Sequence, residues 1–257
     1  MTRRRMYGAQ GFGQGGFLSF LRDNRGTSGD VDRELLLRLI PDLDVDHLPE
    51  RIDTDADGLF HLAAVVWDVD ERLALSMFRE AADAGSWDAL AALGEGENWL
   101  GDHDQAVVHL RAALDLRPDG HARLEGLLGE SLVLSTEPGD PREIERLLAA
   151  GLQDSPEFAL PLARLLLSEG RVEEGRTRAE WAVEAEVYGA ALLLGNLLSE
   201  TPDSTDAAEA AYWRGISTGD AHCAHHLAVL LQQRGEDERS RELHRLARSM
   251  GDPSPIE

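Results

Sequence analysis

The sequence predicts an all-α protein, an α-solenoid of about six antiparallel helical hairpins that follows a flexible N-terminal arm. Two observations predict this class. Small-residue landmarks recur along the chain with a period of about 33 residues, which is typical of helical repeat arrays. Hydrophobic residues make up 42% of the chain but aromatic residues only 5%, and an apolar set dominated by Ala and Leu favours closely packed helices over sheets.

The first landmark is a Leu followed by Gly or Ala, which we place in the first helix of each hairpin. Successive pairs are about 31 to 35 residues apart, as expected for repeats of one helical hairpin each. They are Leu62-Ala63, Leu93-Gly94, Leu128-Gly129, Leu162-Ala163, Leu194-Gly195 and Leu227-Ala228. A second landmark ends the second helix of each hairpin at a similar spacing, at Gly85, Pro118, Gly151, Ala185, Gly219 and Gly251.

Each unit contains two segments with the apolar periodicity of a helix, separated by a short turn. The turns often combine Gly with an acidic residue, as in Gly101-Asp102, Glu169-Gly170 and Gly235-Glu236. This pattern is typical of a helical hairpin. Because one hairpin alone buries no core, neighbouring hairpins must stack on one another.

The N-terminal region differs from the repeats. Residues 1–30 contain five Arg and many Gly and are predicted to be a flexible arm. Its apolar island, residues 17–21, either docks on the array or serves as a binding peptide for a partner. Residues 31–52 are predicted to hold a helix, capped by Ser28 or Asp30 and ending near Ile40, and then an acidic linker. The array covers 53–252, and 253–257 form a tail.

Charge and cysteine content restrict the function classes. The net charge is −23, which opposes nucleic-acid phosphates and anionic lipid and favours a basic or mixed-charge partner. Cys223 is the only cysteine, so an intrachain disulfide cannot form, which suits a reducing compartment. The chain contains no apolar run long enough to span a membrane and does not begin like a secretory signal. We therefore expect a cytoplasmic protein.

All 25 basic side chains are Arg, so the chain is free of lysine. Codon bias in a GC-rich genome is the simpler interpretation. Selection against lysine modification is the alternative, because acetylation and ubiquitin-like conjugation need an amine.

The second unit gives the clearest link to a known family. Ala106, Leu110, Ala113 and Pro118 follow Gly94 at offsets of 12, 16, 19 and 24 along the chain. This small–large–small set with a closing proline resembles the tetratricopeptide repeat and its relative, the Sel1-like repeat. The resemblance extends over roughly residues 53–252 and implies a fold that binds other proteins.

Other units support the resemblance to different degrees. The first unit has Ala74, Phe78 and Ala81 at the same spacing, and residues 78–85 look like the end of a Sel1-like helix. The third unit departs from the pattern, because Ile144, Leu147 and Leu148 occur where Ala is expected. The fifth unit has a longer turn, residues 201–206.

In this family the first helix of each hairpin lines a concave groove. The resemblance therefore implies partner-binding side chains on the first helices, in the register fixed by the Leu-Gly or Leu-Ala pair. These are Asp57, Phe60, Trp67, Asp68, Asp88, Glu95, Asn98, Trp99, Arg123, Glu130, Glu157, Leu160, Arg164, Asn196, Glu200, His222, His225, Gln232 and Gln233.

Two interpretations of the tryptophans remain open. Acidic residues beside Trp67 and Trp99 suit a basic peptide, through charge pairing and cation–π contact. Alternatively, both tryptophans pack between hairpins, since Trp is usually partly buried.

The sequence gives little indication of metal binding or catalysis. The segment with His222, His225 and His226 is the only one with metal-ligand chemistry. On a helix, His222 shares a face with His225 and lies one turn from His226, but a tight site needs a third or fourth ligand, and none is clearly spaced near these pairs. No phosphate-binding loop, nucleophile elbow or zinc-protease helix occurs.

The sequence therefore predicts a protein–protein interaction scaffold or adaptor, without catalysis or cofactor, that uses its groove. One alternative is an accessory regulatory subunit that acts through the N-terminal arm. A second is a metal-binding sensor or enzyme that uses the histidines. Self-association is also an open expectation.

Overall fold

The computed structural model describes residues 30–32, 51–53, 55–117, 121–137 and 139–251. Twelve α-helices occupy these residues. The chain forms two compact units, Met1–Pro138 and Gly139–Glu257. Within the described residues, no helix is both long and apolar enough to cross a membrane.

The described residues of the N-terminal unit form a two-stranded antiparallel ladder and five helices. The strands are β1 (Asp30–Asp32) and β2 (Arg51–Asp53), with Asp30 opposite Asp53. The helices are α1 (Ala56–Val66), α2 (Glu71–Asp83), α3 (Trp87–Leu100), α4 (His103–Leu116) and α5 (Ala122–Leu134). Each helix packs against the next one along the chain, and α3 also packs against α1 and α5.

Residues 139–251 of the C-terminal unit form seven helices and a short 3-10 turn, Pro156–Phe158. The helices are α6 (Pro141–Gly151), α7 (Ala159–Ser168), α8 (Val172–Glu184), α9 (Ala190–Ser199), α10 (Thr205–Ser217), α11 (Ala221–Gln233) and α12 (Asp237–Ser249). Three hairpins, α7–α8, α9–α10 and α11–α12, stack in order within this unit.

The predicted fold class is confirmed. All six Leu-Gly or Leu-Ala pairs lie inside first helices, namely α1, α3, α5, α7, α9 and α11. The division between the two units falls between Pro138 and Gly139, inside the third predicted hairpin, where the sequence departs from the repeat pattern. Ile144, Leu147 and Leu148 are all buried there.

The prediction of a helix starting at Ser28 or Asp30 is wrong at its N-terminal end. Residues 30–32 form β1 and pair with β2 instead. Val31 faces Ile52 in this register, and β-branched residues at paired positions favour strands over helices. The remainder of the predicted helix, residues 33–40, lies outside the described residues, as do residues 1–29 of the arm and the C-terminal tail.

Local sequence explains where the helices begin. Asp55 and Asp70 each accept a hydrogen bond from a backbone N–H three residues ahead, and Ser86 does the same for α3. Such side chains satisfy donors that the first helical turn leaves unpaired. Gly101 then turns the chain from α3 into α4 with φ 83°, a left-handed conformation that favours glycine.

The landmark glycines allow close helix contact. A Cβ atom on Gly94 would lie 2.7 Å from the Leu110 side chain, and one on Gly195 would overlap the Tyr212 ring. In each hairpin the missing side chain leaves space for a large residue of the second helix. This is the small–large packing that the repeat pattern predicts.

Candidate protein-binding surface

The first helices of the N-terminal unit, α1, α3 and α5, form what we call the first-helix face. Because their Leu-Gly or Leu-Ala pairs fix one register, equivalent side chains recur from helix to helix along this face. Asp57, Asp88 and Arg123 are exposed in the first turns of the three helices. Asp68 is exposed just after α1.

Trp67 lies in the joint between α1 and α3. It is half-buried and packs against the hydrophobic cluster of the unit, 6.4 Å from Phe78 between ring centroids. A Cβ on Gly96 would lie only 2.7 Å from the Trp67 ring, so the indole rests directly on the α3 backbone. Phe60 is also half-buried, 5.8 Å from Phe78. Trp67 and Phe60 therefore pack on the hydrophobic cluster of the unit with part of each ring accessible, and their role in partner binding stays a prediction.

Four predicted residues meet one another across α3 and α5. Arg123 forms an ion pair with Glu95 at 2.5 Å, and the Asn98 amide donates to Glu130 at 3.1 Å. The Ser131 hydroxyl in turn donates to the side-chain amide oxygen (Oδ1) of Asn98 at 2.9 Å. These contacts hold the two helices in register, although an exposed ion pair of this kind contributes only about 0–1 kcal/mol.

Trp99 is the most exposed large hydrophobic residue of the described region, with 74% of its surface accessible. Leu100 and Leu134 nearby are also exposed, at 42% and 45%. Leu134 follows Ser131 by one helical turn, and Ser131 bonds to Asn98, the residue before Trp99. These three residues, Trp99, Leu100 and Leu134, are called here the Trp99 patch.

The segment after α5 is fixed beside the start of α4. The Thr136 hydroxyl and N–H both donate to the Asp104 carboxylate, at 2.8 and 3.0 Å. These hydrogen bonds lower the pKa of Asp104 below its usual range, because they favour the charged form. The contact holds the end of α5 against the turn that follows Trp99.

Sequence reasoning missed a buried charge in this unit. Glu97 is 2% exposed and lies between Arg79, whose guanidinium donates at 3.1 Å, and His109, whose Nδ1 is 2.5 Å from the other carboxylate oxygen. We call these three residues the Glu97 network. The signal was present in the repeats, since the same place in the other first helices holds an apolar residue: Val66, Leu132, Leu166, Leu198 or Leu231.

The predicted residues of the C-terminal unit do not form a comparable cluster. Asn196 is half-buried and accepts a hydrogen bond from the Tyr212 hydroxyl at 2.8 Å. Leu160 is buried. His225 is half-buried, 5.3 Å from His244 between ring centroids. The remaining predicted residues of this unit are exposed: Glu157, Arg164, Glu200, His222, Gln232 and Gln233.

The histidine cluster lacks the geometry of a metal site. In the part of the chain that the structure describes, no three His, Cys, Asp or Glu side chains are placed to hold a metal ion together. Cys223 is buried and packs on Gly215. Burial raises the pKa of its thiol, because a thiolate is poorly solvated there.

Comparison with known proteins gives the fold. Neither a family model nor a curated protein matches the sequence. A chain in the structure of the APC/C hetero-tetramer Cut9-Hcn1 aligns with a TM-score of 0.64 at 16% identity, over 94% of this chain and 46% of that one. The present chain therefore spans less than half of that protein's length.

Two Sel1-like structures are also similar. A Sel1 repeat protein from Oxalobacter formigenes aligns with a TM-score of 0.57 at 15% identity, over 76% of this chain and 85% of that one. The antigen c5321 of uropathogenic Escherichia coli, which displays an SLR fold, aligns at 0.51 and 18% identity, over 77% and 46%. At these identities the likeness concerns the fold alone, and this chain has the helical-hairpin fold of tetratricopeptide and Sel1-like repeat proteins.

Proposed function

We propose that this protein is a scaffold or adaptor that binds a basic or mixed-charge segment of another protein on its first-helix face, with the Trp99 patch as the centre of the site. The observation that supports this proposal most is the 74% exposure of Trp99. An indole that contributes little to its own fold gains most by burial in a partner, and Trp is enriched among residues that dominate binding energy.

Charge favours a basic partner segment. Asp102 follows Trp99 by three residues, and Glu137 follows Leu134 by three. Both acids are exposed, and Asp102 makes no side-chain hydrogen bond to the helix that it precedes. Arg or Lys side chains beside an apolar anchor would pair with these carboxylates and stack on the indole.

The fold is consistent with this role. Tetratricopeptide and Sel1-like repeats are generally non-catalytic scaffolds, and a similar structure is that of a hetero-tetramer, Cut9-Hcn1. We extend this to the present chain as a proposal that it catalyses nothing and takes a protein partner rather than nucleic acid or membrane. A cytoplasmic location remains a prediction from the sequence.

The test begins with capture of partners by the full-length chain from native lysate, followed by calorimetric titration of the segment identified. Trp99→Ala is expected to cost about 2 kcal/mol of binding free energy, which is a roughly thirtyfold loss of affinity. The unfolding temperature should not change, since Trp99 is exposed.

Trp213→Ala is the matched control. Trp213 is also an exposed tryptophan, at 43%, but it lies on α10 in the other unit. The proposal requires Trp213→Ala to bind like the original protein. Equal affinity of the Trp99→Ala and original proteins for the partner would refute the site.

A further inference from the structure

The Trp99 patch has a candidate occupant in its own chain. Residues 17–25 read Phe-Leu-Ser-Phe-Leu-Arg-Asp-Asn-Arg, so an apolar run is followed by two Arg and one Asp. The segment thus offers the two features that the patch complements, apolar side chains and adjacent positive charge. Residues 1–30 have a net charge of +3, from five Arg and two Asp, whereas residues 31–257 have 20 Arg and 46 acids, a net of −26.

The described strands determine where this segment starts. Asp30 in β1 pairs with Asp53 in β2, and Asp53 lies two residues before the cap of α1, Asp55. The chain N-terminal to Asp30 therefore leaves from the N-terminal end of α1. The Trp99 patch lies at the opposite end of the first helices, at the C-termini of α3 and α5.

The chain before Asp30 is long enough to span the distance from Asp30 to the Trp99 patch. Eleven residues of α1 span about 17 Å, and neighbouring helices lie about 10 Å apart, so the patch is about 25 Å from Asp30. Leu21 precedes Asp30 by nine residues, and nine extended residues reach about 30 Å. Residues 17–21 can therefore reach the patch.

The acids at the patch suit the arginines of the segment. Within the described residues, neither Asp102 nor Glu137 forms an ion pair, whereas Glu95 and Glu130 on the same face are engaged by Arg123 and Asn98. Asp102 and Glu137 are the exposed carboxylates closest along the chain to Trp99 and Leu134, three residues after each. This arrangement favours an apolar ligand that is followed by positive charge.

We propose that residues 17–25 of this chain bind the Trp99 patch, with 17–21 on the apolar side chains and Arg22 and Arg25 beside Asp102 and Glu137. This inference rests on the proposed function only for the choice of surface. Because the segment is tethered, its effective concentration at the patch is on the order of millimolar. An external partner must displace it, so the segment weakens and selects external binding.

Disulfide trapping in the full-length protein tests the contact. Ser19 lies at the centre of the island, and Ser19→Cys combined with Leu134→Cys places two thiols at the proposed contact while Trp99 stays in place. Cys223 is fully buried and does not compete. Under mild oxidation, this pair should form an intramolecular disulfide about tenfold faster than the control pair, as expected for a preferred tethered contact.

The control pair is Ser19→Cys with Val108→Cys. Val108 is 56% exposed on α4, in the same unit as the patch but on the second helix of the hairpin. Adding Trp99→Ala to the Leu134 pair should lower its trapping rate to that of the control. Equal rates for the two pairs, or trapping that is independent of Trp99, would overturn the proposal, and so would a disulfide formed only between two molecules.

Partner binding separates this inference from the proposed function. Arg22→Glu with Arg25→Glu should raise the affinity for the captured partner if the segment competes for the patch. If trapping fails while capture still depends on Trp99, self-occupation is wrong and the scaffold proposal stands. If trapping succeeds but Trp99→Ala leaves partner capture unchanged, the surface serves the chain's own segment and the proposed external site is wrong.

Discussion

The α3–α4 hairpin in the N-terminal unit and the α9–α10 hairpin in the C-terminal unit have the same landmarks but different interiors. Leu110 packs on Gly94 in the first hairpin, as Tyr212 does on Gly195 in the second. Three places after each glycine, however, the first has Glu97 and the second has Leu198, and both are buried. The repeat therefore determines which positions are enclosed, while the chemistry of the enclosed side chain is free to vary.

This difference has a local cause. The buried Glu97 carboxylate is paired with the half-exposed Arg79 from the preceding helix and with the largely buried His109 from the following one. Leu198 belongs instead to an apolar cluster with Ala208 and Tyr212. A buried carboxylate is tolerated only with paired, hydrogen-bonding neighbours, so Glu97 depends on His109 in its own hairpin and on Arg79 in the hairpin before it.

The largest expected effect comes from isolating the buried carboxylate. Arg79→Ala with His109→Leu leaves Glu97 without its partners and should lower the free energy of unfolding by about 3–5 kcal/mol. Urea unfolding followed by circular dichroism measures this.

The same double change in a Glu97→Leu background provides the control for that experiment. There the carboxylate is absent, the site resembles its apolar counterpart around Leu198, and the cost should largely disappear. A similar loss of stability in both backgrounds would show that packing, and not the buried charge, accounts for the effect.

The second prediction compares the two glycines. Gly195→Ala adds a methyl group that overlaps the Tyr212 ring, and the Tyr212 hydroxyl is held by Asn196 at 2.8 Å. The Tyr212 ring therefore cannot easily move away from the added methyl group. Overpacking of this kind costs about 1–3 kcal/mol. Thermal unfolding of the variant should show a lower midpoint.

Gly94→Ala is the matched variant. Its new methyl group meets mainly the Leu110 side chain, which can rotate, and the gain in helix propensity of about 1 kcal/mol offsets part of the strain. Gly94→Ala should therefore be less destabilising than Gly195→Ala. The reverse order would show that the two contacts do not differ in rigidity as described.

The smallest expected effect concerns the hydroxyl of Tyr212. Tyr212→Phe keeps the ring on Gly195 and removes only the hydrogen bond to Asn196, at a cost of about 1 kcal/mol. Differential scanning calorimetry should detect this as a small decrease in the unfolding midpoint. An Asn196→Ala variant with the same decrease, and no further decrease in the double variant, would support a single shared interaction.

Much of the fold could be predicted because its signals are local. The Leu-Gly and Leu-Ala pairs and the helix-ending glycines lie near each other along the chain, and the helices follow them closely. The short ladder of β1 and β2 was missed because it joins residues about 20 positions apart, and pairing at that separation leaves no periodic signal in either strand.

The candidate site was harder to predict. Trp67 and Trp99 occupy neighbouring places in the repeat, yet one is packed on α3 and the other is exposed. Their burial differs because Gly96 has no side chain, which leaves space for the Trp67 ring on α3. Glu97 was missed for another reason, because residue type alone predicts an exposed glutamate, and its burial depends on Arg79 and His109 arriving from other helices.

The Glu97 network also bears on how such an array can evolve. Arrays of repeats grow and rearrange by duplication and exchange of whole units. The α3–α4 hairpin contains Glu97 and His109 but takes Arg79 from α2, the hairpin before it. A copy inserted elsewhere in the chain would enclose a carboxylate without its arginine, so this unit and its predecessor are expected to be inherited together.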